Sequence, residues 1–277
     1  MARTTATGTA AGIEKPYRIV QITDPHLGAS RDQSVLGINN YQSLELVVEL
    51  VKQQQGHNFH RIVSTGDISS EGSEQSYRDF LQLMEPFGRP ISWLPGNHDC
   101  ADTMANIRDV PLLDQCRVVE LGAWQMLMLN STISGAVGGF LDQQELALLE
   151  TTLKDTDNKH TLICLHHQPV EVGCGWMDPQ KVRNADRFFE IVEQHPGTKA
   201  VLWGHIHQQF DNTRNDIQLH ATPSTCHQFE PLQQQFKIGH QLPGYRWLDL
   251  YPDGRIDTGV SRIKSTPFEI DYLSEGY

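Results

Sequence analysis

Five times along this chain a short, largely apolar run ends, directly or after one glycine, in aspartate, asparagine or histidine. "YRIVQIT" leads into Asp24-Pro25-His26, "RIVST" into Gly66-Asp67, and "ISWLP" into Gly96-Asn97-His98-Asp99. "TLICL" leads into His166-His167, and "KAVLW" into Gly204-His205-Ile206-His207. Between these runs lie stretches with helical spacing. In "NYQSLELVVELVKQQQ" (40–55), Leu44, Val47, Val48 and Val51 share one face. "SEQSYRDFLQLMEPF" (73–87), "LDQQELALLETTLK" (141–154) and "DPQKVRNADRFFEIVEQH" (178–195) also read as helices. Strands alternating with helices predict an α/β fold. Beyond residue 207 the pattern turns to period-two alternation, with "IQLHAT" and a hairpin "RWLDLYPDGRIDTGV" turning at Asp253-Gly254. The C-terminal portion is therefore predicted to be mostly antiparallel. One polar cluster after a strand reads as turn chemistry. Five at the carboxyl ends of strands mark the sheet edge where such folds bind ligands.

Composition narrows what that edge serves. The chain of 277 residues is 38% apolar and 20% charged, ordinary for a globular protein. No apolar run approaches the roughly 18 residues of a membrane span, so no membrane association is expected. Residues 1–16 lack the apolar stretch of a secretory leader and read as a disordered tail. Residues 17–265 read as one domain, and 266–277 as a C-terminal tail. The five cysteines are odd in number, scattered and never in C-x-x-C spacing, which argues against a disulfide framework or a thiolate zinc site and suits a reducing cytoplasm. With 22 basic and 34 acidic side chains the net charge is -12, unsuited to tracking a nucleic-acid polymer. Phosphate-cradling and serine-hydrolase motifs are absent.

The donor types specify the chemistry further. Asp, Asn and His offer oxygen and imidazole nitrogen without thiolate, a set that suits Mn, Fe, Zn or Co. The aspartates, asparagine and histidines at these five strand ends are too many ligands for one catalytic ion with open positions. They suit two ions roughly 3.5–4 Å apart that share a carboxylate and a bridging hydroxide. Gly66, Gly96 and Gly204 read either as strand-end turns or as positions where a missing Cβ admits close packing.

The blocks D-x-H (24–26), G-D (66–67), G-N-H-D (96–99), His166 and G-H-x-H (204–207) resemble, in order, the signature of the calcineurin-like metallophosphoesterases. "QITDPHL", "WLPGNHD", "LHHQP", "GCGWMD" and "ATPSTC" resemble in particular the class III cyclic-nucleotide phosphodiesterases within it. The resemblance implies a four-layer αββα sandwich and two divalent ions per chain, iron and manganese foremost, with magnesium, zinc or cobalt also compatible. It assigns Asp24, His26, Asp67 and His207 to one ion, and Asp67, Asn97, His166 and His205 to the other. His26, Asp67, Asn97, His98 and His207 would contact the substrate, a small cyclic nucleotide. The family often places proline sooner after the fourth block, which makes His167 an alternative to His166; His166 is preferred because it directly ends the apolar run.

The activity so implied is attack of the bridging hydroxide on 3',5'-cyclic AMP to yield 5'-AMP, lowering cellular cyclic AMP. His98, oriented by Asp99, would protonate the leaving oxygen. Another phosphoesterase of the family would share every ligand, whether glycerophosphodiesterase, nucleotidase or pyrophosphatase. Trp176, Met177 and Asn184, and likewise Thr222, Ser224 and His227, read either as a nucleobase pocket or as core.

Overall fold

The computed structural model describes residues 15–155 and 159–276. Its first half contains β1 (Tyr17–Gln21), β2 (Ser34–Val35), β3 (Ile38–Asn39), α1 (Asn40–Gln55), β4 (Arg61–Ser64), α2 (Glu74–Met84), β5 (Ile91–Trp93), α3 (Ala101–Asn106) and β6 (Leu113–Asp114). The second half contains β7 (Val118–Leu121), β8 (Trp124–Met128), α4 (Gln143–Lys154), β9 (His160–Cys164), α5 (Ala185–Val192), β10 (Thr198–Trp203), β11 (Phe210–Arg214), β12 (Ile217–Ala221), β13 (Gly244–Leu250) and β14 (Ile256–Arg262).

Two six-stranded sheets result, in the orders β14-β13-β1-β4-β5-β6 and β11-β12-β10-β9-β8-β7. β1, β4, β5 and β6 pair in parallel in the first, and β8, β9, β10 and β12 in the second. Ile19, Val63 and Leu248 of the first sheet pack with Met126, Leu162 and Leu202 of the second in one buried cluster. The outer face of the first sheet is covered by Leu44, Val47 and Val51 of α1 with Tyr77 and Phe80 of α2. Leu149 and Leu153 of α4 with Phe188 and Val192 of α5 cover the second. The layers therefore run helix, sheet, sheet, helix. Parallel central strands carry apolar side chains on both faces, which is why these runs are continuously apolar.

Local signals place the helix starts. The Asn39 side chain accepts from the Gln42 N–H, and Asp142 accepts from those of Gln144 and Glu145. Both satisfy donors that a helix N-terminus leaves open. The hairpin expected at Asp253-Gly254 joins β13 to β14.

The long helix expected over 178–195 breaks. A short 3-10 turn covers Asp178–Gln180, and α5 begins only at Ala185. In the gap Val182 N–H donates to the Gln168 carbonyl and Arg183 N–H to that of Gly139, so distant partners replace the helical ones. Of the expected N-terminal tail, residues 1–14 lie outside the described residues. Residues 266–276 contain no regular element; Asp271 N–H donates to the Leu36 carbonyl at 3.0 Å, and Ile270 and Tyr272 pack on the second sheet's core. Among the described residues no helix is long and apolar enough to cross a membrane.

Candidate metal centre

The carboxyl ends of β1, β4 and β5 in one sheet and of β9 and β10 in the other deliver their side chains to one place. Asp24, His26, Asp67, His205 and His207 all have left-handed φ, between 48° and 61°. For residues with a Cβ this costs on the order of 1–3 kcal/mol each and persists only where the surroundings dictate it. Here they do. Asp24 N–H donates to Gly66 O at 3.1 Å and His26 N–H to Asp67 O at 3.0 Å, lacing the first two loops together. His205 N–H donates to Asp24 Oδ1 at 2.9 Å across the two sheets.

Asp67 lies between two donor sets. His166 Nε2 is 3.2 Å and His26 Nε2 3.7 Å from Asp67 Oδ2. On one side His26 Nε2 faces His207 Nε2 at 3.1 Å, and His207 Nε2 is 3.6 Å from Asp24 Oδ1. On the other, His166 Nε2 faces Asn97 Oδ1 and His205 Nδ1, each at 3.2 Å. His166 Nδ1 donates to the Thr65 carbonyl at 2.7 Å and His207 Nδ1 to that of His227 at 3.0 Å. A carbonyl behind one ring nitrogen aims the lone pair of the other inward, the usual preparation of a metal-binding imidazole. A Cβ on Gly96 would lie 2.2 Å from Asp67 Oδ1, and one on Gly204 2.4 Å from Asp24 Oδ2. Both glycines are there because the carboxylates need their space.

Burial pushes the imidazoles of His26 and His205 well below the usual range, so they stay neutral and able to donate a lone pair. Burial opposes charge on Asp67 too, but the His166 charge and hydrogen bond outweigh it and hold the carboxyl well below its usual range. His166 answers in kind: burial disfavours its proton, yet Asp67 raises its pKa to about 9, so Nε2 shares a proton with Asp67 and offers its lone pair only once a metal displaces that proton. Paired nitrogens facing one another beside two carboxylates, with no thiolate among them, fit divalent transition ions.

His167 offers a ligand atom within 4.8 Å of those of His166 and His205, but both of its nitrogens have protein partners: Nδ1 accepts from Ser131 Oγ at 2.8 Å and Nε2 donates to Val137 O at 2.9 Å. His98 joins the cluster beside Asp67, its ring edge-on to His26 at 4.8 Å and its Nδ1 3.2 Å from the Ser70 carbonyl.

The Asp99 carboxylate accepts from the N–H groups of Ser69 at 2.9 Å, Gly96 at 2.9 Å and Ile68 at 3.2 Å. Three convergent donors take the oxygens, and the residue ties the β4 loop to the β5 loop.

Most of the residues considered for a nucleobase pocket are engaged by the protein's own backbone, side chains or core. Asn184 clamps the Leu141 backbone at both ends of its amide, and Met177 is core. Thr222 bonds Gln21, while Ser224 Oγ donates to the Asp24 carbonyl at 2.7 Å. Sequence reasoning missed Thr23, whose hydroxyl donates to Asp24 Oδ2 at 2.6 Å, and Cys226, which packs with His207 and His227. Nothing in their local patterns marks them.

A two-sheet sandwich with this cluster at its edge is the architecture of the calcineurin-like phosphoesterases, and residues 17–209 match that family; the chain belongs to it. Across 260 residues it is 41% identical to the 3',5'-cyclic adenosine monophosphate phosphodiesterase CpdA of Pseudomonas aeruginosa, covering 94% of each chain. It is 40% identical to the protein of that name from Escherichia coli K12, over 95% of this chain and 96% of that one. A dimetal phosphatase from Danio rerio shares the fold, with a TM-score of 0.61 at 12% identity over 91% of this chain and all of that one.

Proposed function

We propose that this protein opens 3',5'-cyclic AMP to 5'-AMP at a centre of two divalent ions, with iron and manganese the favoured metals. One observation carries the reading: Asp67 stands between two sets of inward-aimed donors, within 3.7 Å of His26 on one side and 3.2 Å of His166 on the other. Asp24, His26 and His207 would hold one ion, Asn97, His166 and His205 the other, and Asp67 would serve both. Bound there, such ions lower the pKa of water and neutralise phosphoryl charge. The near-full-length identity to two proteins named for cyclic AMP supports the substrate.

The chain's own residues do the rest. His26, Asp67, Asn97, His98 and His207 surround the phosphodiester. With Nδ1 of His98 donating to the Ser70 carbonyl at 3.2 Å, Nε2 is the nitrogen that carries a proton to the departing 3' oxygen. An alkoxide is a poor leaving group without that proton. Asp99 serves the loop that presents His98. Residues 17–265 form the catalytic unit on this reading. All five cysteines are unpaired, which suits a reducing compartment, and we place the enzyme in the cytoplasm, where it lowers cyclic AMP.

The test is a substrate panel on protein loaded with Mn or Fe. Cyclic AMP should yield 5'-AMP with little 3'-AMP, and faster than glycerophosphodiesters or duplex DNA are cleaved. Faster cleavage of a glycerophosphodiester would overturn the substrate assignment.

A further inference from the structure

His207 also lines a cavity of about 390 Å³, which the chemistry above leaves unused. That volume is in the range occupied by small organic ligands. Gln208, Asp211, Phe229, Gln241 and Arg262 form most of the remaining wall. Arg262 is the informative one. Its charge has no carboxylate partner among the described residues, and burial alone pushes its pKa down to about 10, so it stays cationic at neutral pH. Both of its hydrogen bonds leave from Nη1, to Gln228 Oε1 at 2.9 Å and to the Leu242 carbonyl at 2.6 Å. Nε and Nη2 therefore keep donors that no acceptor among the described residues uses.

Gln228 cannot serve a ligand in the same way. Its Nε2 donates to the carbonyls of Ser224, Cys226 and His227, and its oxygen receives Arg262. It fixes the guanidinium to the very turn whose His227 carbonyl orients His207. Gln208 is only 4% exposed, and its one side-chain bond is to Cys174 Sγ at 3.4 Å, a weak acceptor.

The wall is not built for a second anion. The Asp211 carboxylate shares it, bonded to His220 at 2.7 Å and Arg246 at 2.9 Å. A neutral ring with acceptor and donor on neighbouring atoms fits this mixture. Phe229, stacked on His207 at 4.4 Å and 10°, adds an aromatic surface. A purine has such an edge: N7 accepts beside the exocyclic group at C6, which in adenine donates.

We propose that this cavity is the purine subsite, with Arg262 donating to N7 and the Gln208 amide oxygen accepting from the adenine amine. The proposal rests on the cyclic-nucleotide reading for its substrate, yet it makes a separate claim about where base affinity resides.

Calorimetric binding of the product to metal-loaded protein tests it apart from turnover. Wild-type protein should bind 5'-AMP roughly 10–100-fold more tightly than ribose 5-phosphate, the span of a hydrogen bond to a charged group. The 7-deaza analogue of 5'-AMP, which lacks the N7 acceptor, should lose about tenfold. In Arg262→Met the preference for 5'-AMP over ribose 5-phosphate should fall towards one and become indifferent to N7. Gln208→Met should narrow it as well. An unchanged preference in folded Arg262→Met overturns the proposal. Should that variant not fold, equal binding of 5'-AMP and its 7-deaza analogue by wild-type protein overturns it instead. Base-dependent binding without cyclic AMP turnover would leave the subsite standing and remove the proposed reaction.

Discussion

His98 and Asp67 stand within one cluster, and the residue scale separates what each contributes. Asp67 is reached by imidazoles from two strands and is 2% exposed, so its carboxylate serves both donor sets at once. His98 touches that cluster through its own N–H, which donates to Asp67 Oδ1 at 2.9 Å, and through its ring edge against His26. Asp67→Ala should accordingly lose bound metal together with activity on every ester. His98→Ala should keep its metal and lose roughly 10²–10⁴ in turnover of cyclic AMP, the span of general acid help. On an aryl phosphodiester, whose phenolate leaves without a proton, the loss should shrink markedly. Metal analysis beside rates on the two substrates checks both variants. Equal loss on both esters in His98→Ala would rule out leaving-group protonation.

Elements of the two sheets are joined by an ion pair that no local pattern announces. Arg246 on β13 of the first sheet is buried, and its guanidinium donates to the Ala221 carbonyl at 2.8 Å and reaches Asp211 on β11 of the second at 2.9 Å. His220 on β12 lies 2.7 Å from the same carboxylate. Burial works against the charge on Asp211, but the His220 hydrogen bond and the Arg246 charge outweigh it and hold its pKa below the usual carboxylate value. A depressed pKa contributes stability that is present above the unfolded value of about 3.9 and drains away as pH falls below it. Asp211→Asn should therefore melt at a lower temperature than wild type at pH 7. The gap should close below about pH 4. Melting curves across that range decide it; a gap independent of pH would mean that the substitution acts through packing alone.

On the scale of the whole molecule, the proposed ions draw on loops from both sheets: Asp24, His26, Asp67 and Asn97 follow strands of one, and His166, His205 and His207 follow strands of the other. Metal bound only by the folded form stabilises it by mass action, about 2.7 kcal/mol at a hundredfold excess over Kd. Chelation should lower the melting temperature by several degrees, and added Mn should restore it. A melt indifferent to chelator would argue against ions held between the sheets. How much of this was legible beforehand follows from the range over which each signal acts. The bounds of α1 coincide with the apolar periodicity over 40–55, because Asn39 caps it from the adjacent position. The five strand ends and their donors were legible for the same reason: a β-branched run and the turn that follows it are contiguous in the chain. The break before α5 was not, since Asn184 bonds to Leu141, distant in sequence. Nor were the backbone partners of Asp99, the pairing of Arg246 with Asp211, or the cavity beside Arg262. Those rest on which segments meet in space. The sequence alone determined the elements and the chemical character of the sheet edge, because periodicity and turn chemistry are local. Partner choice among buried polar groups was left to the tertiary structure, because a hydrogen bond depends on distance in space and is indifferent to separation along the chain.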